Sequence, residues 1–239
     1  MRSALKGGQH CLITGASSGI GLALSRRLLD TGWRVTGLDL KPTPIDAPER
    51  MRSVELDLLD GTALERGLSE LVGDPPTAFV HSAGLMRTGG ITETRDADLA
   101  LLWTLHVGAA VALMRGLAAY LPDGTGRVIL LGSRGALGRA GRGAYAATKS
   151  ALVGLARSWA IELAPRGVTV NVIAPGATDT PMLSDPLRGD PPQISMPIGR
   201  LITADEVAAV AAFLLGAEAG AITGQTIYVC GGSSLGVAL

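Results

Sequence analysis

This sequence predicts a single-domain, doubly wound α/β fold, with seven parallel strands forming one sheet and helices on both of its faces. Three observations predict it. Short β-branched apolar runs alternate along the chain with amphipathic or alanine-rich stretches of helical length. The 239 residues are 47% apolar, enough for one substantial core. A glycine-rich turn follows the first apolar run directly. Right-handed crossovers between parallel strands place helices on both faces, so each strand is expected to be buried on both sides.

The elements follow in order. A first strand is expected at residues 9–15, through Cys11, Leu12 and Ile13, and a helix at 19–31. The second strand spans 33–39. The proline-rich segment 41–50 (KPTPIDAPER) cannot extend a helix and reads as a loop into a third strand at 52–57. A helix at 60–72 leads to a strand at 77–83, and a long helix at 95–121 leads to a strand at 127–133. Then come a helix at 143–164 and a strand at 169–174. The irregular segment 178–200, with five prolines, is expected to cover a site at the strand ends. A helix at 203–216 carries Asp205 and Glu206 in its first turn, where negative charge meets the positive end of the helix dipole. A last strand at 226–230 completes one domain over 1–239, without repeats or low-complexity tracts.

Composition excludes several classes of partner. The 21 basic side chains balance the 21 acidic ones, so no long-range field draws the chain onto nucleic acid or an anionic membrane. The N-terminus lacks an apolar signal core, and no run of about 18 apolar residues is long enough for a bilayer. A cytoplasmic protein is expected. Cys11 and Cys230 lie in strand-like runs and read as buried thiols rather than a disulfide; neither spacing fits a metal site. His81 continues an apolar run and reads as core, and His10 as solvated.

The segment 14–21 reads TGASSGIG. Glycines at 15, 19 and 21 let the chain turn sharply and bring backbone N–H groups against a pyrophosphate, whose charge the following helix N-terminus favours. Gly15, Ser17, Ser18, Gly19, Ile20 and Gly21 are therefore the expected cradle of a Rossmann-like dinucleotide site. Asp39 lies 20 residues beyond Gly19, at the end of the second strand, where a carboxylate accepts hydrogen bonds from the adenosine ribose and repels a 2′-phosphate. NAD is expected over NADP, with Lys41 the one nearby cation.

Tyr145 and Lys149 are four residues apart in a helical stretch, hence on one face, and Ser133 ends the strand just upstream. With these residues, with NVIAPG at 171–176 and with ITGQTIYVCGG at 222–232, the sequence resembles the short-chain dehydrogenase/reductase family over nearly its whole length. The resemblance implies that Tyr145 carries the hydroxyl proton, that Lys149 favours phenolate and binds the nicotinamide ribose, and that Ser133 donates a hydrogen bond to the substrate oxygen. It also places Asp57 and Leu58 at the adenine, Ser82, Ala83 and Gly84 beside the adenosine ribose, and Thr178 and Thr180 near the nicotinamide amide and phosphates, above a turn shaped by Pro175 and Gly176.

Two positions depart from that family's pattern. Ser82 stands where an asparagine is usual, its shorter side chain leaving room for water. His106 replaces the asparagine that supports a water leading to the lysine; the imidazole is either an equivalent relay group or a packed core histidine. Arg134, Arg139 and Arg142, with Arg87, crowd loops near the strand ends. They are either surface residues or a site for a carboxylate or sulfonate. Leu137, Met182 and Leu183 are candidates for apolar contact.

The leading expectation is an NAD-dependent enzyme interconverting a secondary alcohol or hydroxy compound and its ketone. The rivals are an NADPH-dependent 3-oxoacyl-carrier-protein reductase, disfavoured by Asp39, and a non-catalytic dinucleotide-binding sensor. Small residues at 108–110, 151 and 154 permit close helix packing between subunits, and the resemblance implies a homotetramer, with residues 226–230 near a second interface. Residues 233–239 are candidates to reach a neighbouring subunit.

Overall fold

The five inner strands of the main sheet alternate their side chains between two cores. The computed structural model describes residues 8–71, 73–188 and 196–235. Its seven parallel strands are β1 (His10–Thr14), β2 (Arg34–Asp39), β3 (Met51–Glu55), β4 (Ala78–His81), β5 (Arg127–Leu131), β6 (Thr169–Pro175) and, last in the chain, β9 (Thr226–Val229). They run in the order β3-β2-β1-β4-β5-β6-β9. The order reverses between β1 and β4, so the connections leaving these two strands diverge and open a crevice at their carboxyl ends.

One face of the sheet packs Ile13, Val35, Val80, Ile129 and Ile173 against helices α1 (Gly19–Asp30) and α6 (Ala204–Leu215). The other packs Leu12, Leu38, Phe79, Val128, Leu130 and Val172 against helices α2 (Gly61–Leu71), α4 (Ala109–Leu117) and α5 (Gly143–Leu163). Adjacent residues such as Leu12 and Ile13 are both fully buried, each in a different core. Such continuous apolar strands are what a sheet covered on both faces requires. α6 begins on a capping box, in which Thr203 accepts from the Glu206 N–H and the Glu206 carboxylate accepts from the Thr203 N–H.

The structure adds three features to the sequence reading. The helix expected over 95–121 is α3 (Asp96–Trp103), a π-helical turn at Thr104–Gly108 and then α4, so the ladder widens by one residue around His106. The stretch Asp96–Leu117 is long and apolar enough to cross a membrane, which the sequence expectation did not allow for. Its Leu102, Ala110, Leu113 and Leu117 are buried in this fold. Two further strands, β7 (Thr178–Asp179) and β8 (Ile202–Thr203), pair in parallel and clasp both ends of the expected cover segment, whose residues 189–195 lie outside the described residues.

His10 corrects its sequence reading. It is 3% exposed, its Nε2 is 2.8 Å from the Thr36 hydroxyl, and burial, then Arg34, holds its pKa below the ordinary value. Its place at the start of β1, between β2 and β4, buries it. Cys11 and Cys230 are free and buried, and His81 is fully buried. Residues 1–7, and 236–239 of the tail expected at 233–239, lie outside the described residues.

Candidate active site

The crevice at the carboxyl ends of the strands is a cleft of about 820 Å³. At its floor β1 turns sharply into α1. Gly15 has φ +72°, and a Cβ there would lie 2.9 Å from the Ala83 backbone; a Cβ on Gly21 would lie 2.1 Å from the Gly15 carbonyl oxygen. Only glycine allows the first turn of α1 to pack this tightly while its N–H groups stay open to an anion. The cradle thus fits a dinucleotide's phosphates.

Gly15, Ser18, Gly19 and Ile20 line the cleft, as do Asp39, Asp57, Leu58, Ser82, Ala83, Gly84, Pro175, Gly176, Thr178 and Thr180. Ser17 and Gly21 do not. The Ser17 N–H instead donates to Asp39 Oδ2 at 2.9 Å, so Asp39 both faces the cleft and braces the glycine turn. Asp57 Oδ1 accepts the Leu59 N–H at 2.9 Å. Thr180 carries its methyl group against Gly19, bringing the loop after β6 onto the glycine turn.

Sequence reasoning missed the polar support behind this turn. The Thr14 hydroxyl accepts N–H bonds from Ser82 and Ala83, both at 3.1 Å, and contacts His81 Nδ1 at 3.0 Å. His81 Nε2 lies 3.2 Å from the Leu105 carbonyl, which can only accept. Nε2 therefore carries the proton and Thr14 donates to Nδ1. Burial, then the Lys149 charge, pulls His81 down to about 3, so the ring stays neutral. A threonine ending one strand beside a histidine ending its neighbour is the signal that was available.

Tyr145, Lys149 and Ser133 meet at the far end of the cleft. Ser133 caps a short 3-10 turn, its hydroxyl accepting the Gly135 N–H at 2.9 Å. Tyr145 is 5% exposed. Burial raises its pKa, opposed by the Ser133 hydroxyl and by the charges of Arg188 and Arg142. Lys149 Nζ donates to the Leu131 carbonyl at 2.9 Å and lies 5.9 Å from the centre of the Tyr145 ring. Burial lowers its pKa to about 7. Burial thus disfavours the charged form of both groups, phenolate and ammonium, and drives their pKa values apart.

His106 stands behind this pair without lining the cleft. The Leu85 N–H donates to its Nε2 at 3.2 Å, its Nδ1 is 2.9 Å from the Thr148 hydroxyl, and that hydroxyl donates to the Tyr145 carbonyl. The ring is neutral with its proton on Nδ1, and its pKa lies well below the ordinary value, chiefly through burial. Neither nitrogen is free for a water. Of the two readings of His106, these contacts favour the packed histidine over the relay; the ring stands edge-on to Tyr145 with centroids 5.7 Å apart.

Among the expected substrate contacts, Arg134, Arg139, Arg142 and Met182 line the cleft; Arg87, Leu137 and Leu183 do not. Arg87 faces Asp98 and Asp185 instead, and Leu137 is exposed. Arg188 lines the cleft and was missed.

Proton-carrying groups at one end of a groove whose other end is shaped for a dinucleotide define the nicotinamide-dependent oxidoreductases acting on hydroxyl and keto carbons. A family model described as enoyl-(acyl carrier protein) reductase matches residues 15–234. The chain is 34% identical over 237 residues to a 3-oxoacyl-(acyl-carrier-protein) reductase of Salmonella typhimurium, covering 94% of this chain and 97% of the relative. It is 31% identical over 245 residues to 2,3-dihydro-2,3-dihydroxybenzoate dehydrogenase of Escherichia coli, covering 96% and 98%. Aldohexose dehydrogenase of Thermoplasma acidophilum superposes with a TM-score of 0.86 at 25% identity, covering 98% of this chain and 96% of that one. The chain belongs to the short-chain dehydrogenase/reductase family.

Proposed function

We propose that the protein is an NAD-dependent dehydrogenase that interconverts a secondary alcohol and its ketone, with Tyr145 as acid/base. The observation that carries this reading is the convergence of Tyr145, Lys149 and Ser133 on one cleft with Asp39 at its other end. The nicotinamide ring, when bound, supplies the acceptor or donor of hydride. The chain's own residues do the rest. The Tyr145 oxygen takes the hydroxyl proton in oxidation and returns it in reduction; Lys149 favours its phenolate form; Ser133 donates to the substrate oxygen and fixes the reacting carbon. The Gly15–Gly21 turn would hold the pyrophosphate, Asp39 the adenosine ribose, and Asp57 and Leu58 the adenine pocket.

Asp39 favours NAD, because its carboxylate would face a 2′-phosphate and no lysine or arginine lines that end among the described residues. The rival is an NADPH-linked 3-oxoacyl reductase, favoured by the 34% identity to an enzyme of that name. A screen of alcohols and ketones with NAD(H) and NADP(H), followed by nicotinamide absorbance, is expected to show turnover with a preference for NAD(H). Turnover with NADP(H) alone selects the rival, and dinucleotide binding without any turnover selects a sensor.

A homotetramer accompanies this reading. Ala109 and Ala110, expected at an interface, are buried in the subunit's own core; apolar side chains left exposed include Leu99 and Trp103 on α3, Val111 on α4 and Ile161 on α5, with Phe213 on α6 and Tyr228 on β9. Sedimentation is expected to give four subunits, and a monomer overturns it.

A further inference from the structure

The reactive end of the cleft holds more positive charge than proton transfer uses, and we propose that this end binds a carboxylate on the substrate, with Arg188 as its anchor and Arg142 beside it. The inference rests on the oxidoreductase reading above and narrows the substrate to a hydroxy or keto acid.

Arg134, Arg139, Arg142 and Arg188 all line the cleft, where the only acidic lining residues described are Asp39 and Asp57, at the opposite end. Among the described residues none of the four arginines is in an ion pair. Arg134 is committed elsewhere, its Nε donating to the Ser233 carbonyl at 2.9 Å. Arg188 is different: it is 6% exposed, its Nε is buried without a hydrogen-bond partner among the described residues, and one terminal nitrogen reaches the Met182 carbonyl at only 3.5 Å. Guanidinium keeps its proton in proteins, so this is a buried charge with donors to spare.

Its neighbours deepen the deficit. The charges of Arg139 and Arg188 both bear on Arg142, that of Arg139 bears on Arg188, and those of Arg142 and Arg188 reach Tyr145. Like charges gathered around a buried donor are costly alone and are compensated by an anion, which a planar guanidinium meets through paired N–H bonds. Because the same cations act on Tyr145, the bound carboxylate would sit near the carbon that reacts.

Binding of benzoate and of its neutral isostere benzamide to the NADH-loaded protein tests this by calorimetry. Benzoate is expected to bind about tenfold or more tightly than benzamide, the strength of a charge-assisted hydrogen bond. Arg188→Gln removes that gap, Arg142→Gln narrows it, and NADH affinity stays within about twofold. Equal binding of the two probes overturns the proposal, and so does a gap that survives both substitutions. An Arg188→Gln variant that loses NADH affinity about tenfold assigns this residue to the dinucleotide phosphates and also overturns it. A benzoate gap without turnover of any ketone or alcohol leaves the anion site standing and removes the redox reading. Turnover with equal kcat/KM for a keto acid and its methyl ester, and no gap, does the reverse.

Discussion

At the β2–β3 end of the cleft, Asp39 and Asp57 reach solvent and accept hydrogen bonds from nearby backbone N–H groups. At the β5–β6 end Tyr145, Lys149 and Arg188 are withdrawn from water, and burial shifts the pKa of each. The first end can bind a ligand at little cost to the fold. The second keeps ionisable groups where their charged forms are unfavourable, so its chemistry is maintained at the expense of stability.

The sharpest way to break this contrast is Tyr145→Phe, which keeps the buried ring and removes the proton carrier. Turnover is expected to fall by about a thousandfold with dinucleotide affinity retained. Substantial residual turnover, measured by nicotinamide absorbance, would strip the reactive end of its acid/base role.

Lys149→Met is the next largest. It is expected to lower kcat/KM about a hundredfold while stabilising the dinucleotide-free protein. An unfolded lysine titrates near 10.5 and this folded one at about 7. Between those values the unfolded chain binds the extra proton, so the parent's stability rises with pH across that window. The variant's advantage is therefore expected to be fully developed below pH 7, on the order of 5 kcal/mol, and to vanish near pH 10.5. Urea unfolding at a series of pH values checks this. A variant less stable than its parent at pH 6 would show that the reactive end is not under such stress.

Asp39→Ser tests the exposed end. The ratio of kcat/KM for NAD to that for NADP is expected to fall about tenfold through loss of the ribose acceptor and of the repulsion. If both values fall together and the ratio holds, the carboxylate serves only to brace Ser17.

The smallest effect on rate is expected from His106→Asn. With both ring nitrogens already bonded inside the protein, the substitution should cost about 1–2 kcal/mol of stability and leave kcat within about threefold, its pH profile unmoved. A displaced profile would return His106 to the proton path.

How much of this was legible in the sequence follows from how local each signal is. Strands such as β1, β4 and β5 announced themselves because each is apolar through consecutive residues, and Tyr145 and Lys149 because a fixed spacing on a helix puts both on one face. The π turn at 104–108 was not legible: one additional residue in a helical ladder leaves the apolar pattern nearly unchanged. His10 was misread because its burial comes from β2 and β4 rather than from its own neighbours. Arg188 and the Thr14–His81 support were missed for the same reason, since the contacts that define them span a loop or two adjacent strands. Strands of two residues, β7 and β8, are too short for any periodicity.

Those two short strands carry a consequence of their own. Thr178 and Thr180 stand at the point where the chain leaves the body, Ile202 where it rejoins, and the Thr178–Ile202 register ties departure to return. Backbone pairing thus fixes both ends of the segment, so changing Met182 or Arg188 within it is expected to leave Thr180 in place against the glycine turn.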